Sequence, residues 1–168
     1  MFLDFIEKRI LNDNFYINDN LFKYNIVDIV QLLIDDEVLA RNENGLFITH
    51  DIFEEWGLKK MIDNKWNKKD SINDFINSLD KSYLVRIAFR QWLTDRVETN
   101  IQETKDLLYK SLDTEIEQLW RDEILIAIME SSYAGTFLTN TKNELLQDDA
   151  KLLNRITYLL QLACKRLD

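Results

Sequence analysis

The stretch 45-GLFITHDIFEEW-56 holds the chain's one histidine, His50, beside Asp51 and ahead of Phe53 and Trp56. An imidazole next to a carboxylate suggests acid–base work, a phosphate contact or a helix start. A Ser–His–Asp triad would have to use His50, but no serine sits on a nucleophile elbow. One histidine and one cysteine leave no metal-ligand spacing of the His/His or His/Cys kind and no cysteine-based zinc cluster. The three glycines, Gly45, Gly57 and Gly135, are isolated, so a Walker A phosphate loop cannot be written. Adjacent acids at Asp35/Asp36, Glu54/Glu55 and Asp148/Asp149 fall at helix ends, where carboxylates are usually solvated or capping. Cys164 reads as an ordinary helix-face residue. The chain shows no catalytic machinery of its own.

Composition points to a helical scaffold. The 168 residues have no proline, three glycines and 46% hydrophobic residues, enough to bury a core. A net charge of −9 opposes a duplex phosphate backbone. The absence of any disulfide pair fits a reducing cytoplasm. No apolar run approaches the roughly 20 residues that span a bilayer, so no membrane partner is expected. MFLDFIEKRI carries Asp4 and Glu7 within its apolar stretch and is not a signal peptide. A helix beginning so early suggests a segment of a longer polypeptide.

Periodicity sets the elements. Phe2, Phe5, Ile6 and Ile10 predict a helix over 2–11, and a short helix fits around Asn20–Tyr24. Asn25 is a plausible cap for IVDIVQLLIDD, with Ile26, Ile29, Val30 and Leu33 on one face. The period then changes: EVLAR, NENG and LFITH read as strand, turn, strand, with Asn44-Gly45 the hairpin signal. Thr49 or Asp51 caps the next helix, Asp51 with Glu54 forming a capping-box-like pair. That helix presents Ile52, Phe53, Trp56 and Ile62, and Gly57 weakens its middle.

Beyond NKKD the pattern is helical. Ser71 caps INDFINSL, and Ser82 opens a helix with Leu84, Ile87, Ala88, Trp92 and Leu93 inward. Helices follow over 100–112 and 114–130, then a break around Gly135 with room for one short helix. The last helix, about 148–167, lines up Leu152, Ile156, Leu159 and Ala163, with Leu153 and Leu160 alongside. The predicted fold class is mainly α: a winged-helix-like domain with one β-hairpin over 1–66, then an all-helical bundle or superhelix start over 67–168. No fixed repeat period is present.

Winged helices often bind DNA through the helix before the wing. Here that helix, 25–36, carries Asp28, Asp35 and Asp36, no Lys or Arg, and Gln31 as its one candidate base reader. Nucleic acid is therefore an unlikely partner. The cluster Lys59, Lys60, Lys65, Lys68 and Lys69, interrupted by Asp63, reads as a solvated face ahead of a phosphate patch.

A wing strand followed by LFITHDIFEEW resembles the winged-helix domain of STAND-type signalling ATPases, the NACHT and NB-ARC relatives of AAA+ proteins, over about residues 1–66 and most specifically 38–56. HDIFEEW ahead of a helical region also looks like the large bacterial STAND ATPases, antiphage types included. The resemblance implies that His50 and Asp51 stand at the MHD-like position, with Thr49 where that motif has Met. His50 would then contact the β-phosphate of ADP in the resting state, and Asp51 would fix the helix start. It also implies ADP or ATP as ligand and a P-loop ATPase domain of the same polypeptide as partner, since this chain has no P-loop. Two other readings stay open: a helical scaffold binding a protein partner through its last helix, with His50 merely packing at the junction, and a DNA-binding winged helix.

Overall fold

The computed structural model describes residues 2–12, 14–18 and 27–164, without the side chains of 12, 27, 163 and 164. The short helix expected around Asn20–Tyr24, the Asn25 cap and Ile26 lie outside the described residues. Among those described, eight α-helices and one two-stranded antiparallel sheet occur, a mainly α architecture. The chain divides into two units: Met1–Lys69 with Ser78–Ala88, and Asp70–Asn77 with Phe89–Asp168.

In the first unit α1 (Phe2–Asn12) packs on α3 (Asp51–Asn67), while α2 (Val27–Asp35) leads into β1 (Leu39–Asn42) and β2 (Gly45–Ile48). Apolar side chains at helical spacing bury Phe5 and Ile6 of α1 and Leu58, Met61, Ile62 and Trp66 of α3. The hairpin register pairs Leu39 with Ile48 and Asn42 with Gly45. Its tight turn is therefore Glu43-Asn44. Gly45 takes the positive φ, at +128°, so the signal read from Asn44-Gly45 works through the glycine alone. A Cβ there would also lie 2.7 Å from the Ile17 carbonyl oxygen.

Ile17 makes an isolated bridge to Leu46, each amide bonding the other's carbonyl at 2.9 and 3.0 Å. A single paired residue has no periodicity to announce it. This bridge gives the hairpin a third paired segment.

Two expectations for helix faces change here. Ile52 and Trp56 are 69% and 56% exposed, not inward. Gly57 is buried where α1 crosses α3: a Cβ there would meet Ile6 Cγ1 at 2.8 Å and Phe2 Cε1 at 2.9 Å. The glycine is thus the crossing point that lets the two helices close. Ile29 is also exposed, whereas Val30 is buried.

The second unit has no strand among its described residues. It contains α4 (Ile72–Ser78), most of α5 (Tyr83–Tyr109), a 3₁₀ turn (Lys110–Leu112), α6 (Gln118–Glu130), α7 (Ala134–Asn140) and α8 (Lys142–Cys164). Ser71 caps α4 as predicted: its hydroxyl oxygen accepts the Asp74 amide at 3.1 Å and donates to the Asp74 carboxylate at 2.6 Å. α5 kinks at Asn100, with φ −155° and ψ 81°, where the pattern divides two helices. Its buried row is Val85, Ala88, Phe89, Trp92, Leu93 and Val97, while Leu84 is 41% exposed. Ala88, Trp92 and Leu93 are thus inward as expected, Ile87 is half-buried and Val85 replaces Leu84; Phe89 inserts among Phe75, Trp92 and Trp120 with ring centroids 5.3–6.2 Å away.

Asp113 delays the start of α6 to Gln118. Its carboxylate accepts the Glu115 amide at 2.9 Å and Lys110 Nζ at 2.8 Å, a local turn that competes with the helix. A partly buried ion pair joins α5 to α6, with Arg90 Nη2 2.6 Å from Glu123 Oε2. α8 starts earlier than expected and bends at Gln147–Ala150.

Candidate functional site

The junction from wing to helix is set by three neighbouring residues with different tasks. Along β2 the side chains alternate, Leu46 and Ile48 inward and Phe47 half-buried. Thr49 follows, and its hydroxyl donates to the carbonyls of Glu37 and Val38, the latter at 3.2 Å. Its amide also donates to the Val38 carbonyl at 3.2 Å. Thr49 therefore ties the base of the hairpin and does not cap α3.

The N-cap is His50, in extended backbone at φ −137° and ψ 137°, with its carbonyl accepting the Phe53 amide at 3.0 Å. Its side chain makes no cap hydrogen bond. The imidazole is exposed, tilted 54° to the Phe53 ring with centroids 6.0 Å apart.

Asp51 is the first residue of the helix and is also exposed. The expected Asp51–Glu54 box does not form: Asp51 lies one position too late to cap. Glu54 is committed to Arg9 of α1, with Nε–Oε1 at 2.8 Å. Burial raises the Glu54 pKa above its ordinary value; Arg9 opposes that shift and Asp51 adds to it. The start of α3 thus offers an open imidazole and first-turn amides beside carboxylates. An imidazole N–H and the helix dipole suit an anion. Asp51 and Glu54 require that an anion arriving there bring its own counter-charge.

Among the described residues, the side chains singled out as candidate nucleic-acid readers make contacts within the chain. Gln31 Nε2 donates to Asp35 Oδ1 at 2.8 Å, and α2 has an acid in its first turn and no base in its last. In the lysine cluster, Lys59 pairs with Glu55 at 3.1 Å and Lys60 with Asp63 at 3.7 Å. Lys65 donates to the Ser78 carbonyl at 2.9 Å, and Lys69 lies 3.5 Å from the centre of the Trp66 ring.

A groove of about 650 Å³ opens in the second unit between α6 and α8. Arg121, Lys151 and Arg155 line it with Glu144 and Asp148. Arg155 is held in two-point contact by Asp122, with Nε–Oδ1 at 2.9 Å, and this bond raises its pKa above the ordinary value. Arg121 donates to the Ser111 carbonyl at 3.1 Å. Arg155 and Asp122 meet across 33 residues of sequence, and no local spacing advertises them. With cations and acids nearly balanced, the lining selects no one class of ligand.

Among the described residues no group of three or more His, Cys, Asp or Glu side chains could hold a metal ion, and no helix is long and apolar enough to cross a membrane. Set against known proteins, the chain matches no family model and no curated protein.

Proposed function

We propose that this chain is the regulatory part of a STAND-type signalling ATPase acting in the cytoplasm. In this reading the winged-helix-like unit holds the ADP state and the helical unit relays sensing, while hydrolysis takes place on a P-loop domain of the same polypeptide. The observation that carries the reading is His50. The lone imidazole stands exposed and uncommitted at the N-terminus of α3, directly after the hairpin. The anion's counter-charge, which Asp51 and Glu54 demand, would come from the P-loop lysine and magnesium. A contact made only in the ADP state supplies the differential affinity that a switch requires.

The test is ADP dissociation from a polypeptide that joins the ATPase core to this segment. A hydrogen bond to a charged group is worth about 1.5–3 kcal/mol, so His50→Ala should speed ADP release roughly ten- to a hundred-fold and favour the active state. Unchanged release would remove His50 from the nucleotide site.

A second reading, a scaffold that binds a protein partner through its last helix, draws support from Leu153 and Leu160 of α8, 38% and 43% exposed. It leaves His50 without a role and makes no prediction for nucleotide.

A further inference from the structure

The bend in α8 has a cause in the sequence. Asp148, Asp149 and Ala150 hold φ of 50°, 58° and 58°, three consecutive residues with side chains in the left-handed region, after an extended Gln147. Such a run is unfavourable for L-residues, and no glycine relieves it. Leu145, Ile156 and Leu159 are buried and Leu152 is half-buried. At 3.6 residues per turn these four fall on one stripe of an uninterrupted helix. On that helix Asp149 would lie about 40° and Asp148 about 60° from the line through Leu145. Two ionised carboxylates would then enter the packed face.

In the bent form both aspartates are exposed instead. They also stand just before the second half of α8, where the helix dipole favours negative charge. The Asp149 carbonyl accepts a long hydrogen bond from Asn154 Nδ2 at 3.5 Å.

We propose that α8 is a two-state helix, held bent by the solvation of Asp148 and Asp149 and straightened by any event that removes their charge or their water. The bend trades backbone strain against carboxylate desolvation, two opposing costs of similar kind. The groove belongs to the bent state: Glu144, Gln147 and Asp148 line it from one side of the bend, and Lys151, Arg155 and Tyr158 from the other. Straightening α8 therefore remodels the groove. Nothing in this device depends on the ATPase reading.

The test places spin labels on cysteines at the exposed positions Asn143 and Thr157, in a Cys164→Ser background of the whole chain, and measures their separation. A straight helix sets these Cα atoms about 21 Å apart, 14 residues at 1.5 Å each. The wild type should show a shorter distance, and Asp148→Gly/Asp149→Gly should keep it. Asp148→Leu/Asp149→Leu should move the population to the longer one. If the leucine variant fails to fold, Asp148→Ala/Asp149→Ala gives the same readout with less bulk. A wild type already at the straight-helix distance, or a folded leucine or alanine variant that stays short, overturns the proposal.

Discussion

Glu37 offers the sharpest test of the first unit. It has φ 58° and follows the end of α2. Its amide donates to the Ile34 carbonyl at 3.0 Å and the Val38 amide to that of Leu33 at 2.9 Å. These two bonds make a Schellman ending, in which the left-handed position usually belongs to glycine. Glu37→Gly removes a left-handed cost of roughly 1–2 kcal/mol and gives back about 0.4–1 kcal/mol through the freer unfolded chain. It also removes an acid from a C-terminal helix end that has no basic residue in its last turn, worth about 0.3 kcal/mol for an exposed group. The sum is a stabilisation of about 1 kcal/mol, while the carbonyl that receives the Thr49 hydroxyl is retained. Glu37→Gln isolates the charge and should shift stability by only about 0.3 kcal/mol. Urea unfolding followed by circular dichroism measures the change, and hydrogen exchange of hairpin peptides assigns it to this unit. A Glu37→Gly protein no more stable than Glu37→Gln would refute the left-handed ending.

Two further outcomes follow from the packing and the charges. Gly57→Ala should destabilise by about 1 kcal/mol in the same urea assay, since overpacking of about 1–3 kcal/mol against the buried Ile6 outweighs a helix-propensity gain of about 1 kcal/mol; a stabilised variant would show that α1 does not cross so closely. Glu98 has its pKa lowered by the Ser132 amide first and the Ser132 hydroxyl second. Its contribution is therefore complete above the ordinary carboxylate value and lost as pH falls through the folded value. Urea midpoints of wild type and Glu98→Gln should differ at neutral pH and converge in acid, and a gap that does not change with pH would contradict this.

The hairpin, the kink of α5 and the Ser71 cap were legible because each has a local signal: a glycine beside Asn44, a polar interruption at Asn100, a serine three residues ahead of Asp74. The imidazole's place at the strand-to-helix junction was equally plain. Its geometry was not, because Thr49 and Glu54, both natural capping residues, find better partners far away in sequence. Ile17 pairs alone, and the Gly57 crossing depends on α1, so neither leaves a local periodic trace. The α8 bend did leave one: Leu145 stands in phase with Leu152, with Asp148 and Asp149 between them. A helix that starts at Asp148 leaves Leu145 outside it and does not contain that phase relation. In α5 Leu84 and Val85 are both apolar, and only contacts with other helices decide between them.

The three oxygen and amide contacts that fasten Thr49 to Glu37 and Val38, together with the Ile17 bridge to Leu46, leave the wing little independent swing. Backbone movement at His50 cannot be absorbed by a floppy loop. It is shared between the end of α2, through Thr49, and the first turn of α3, through the Phe53 amide bonded to the His50 carbonyl.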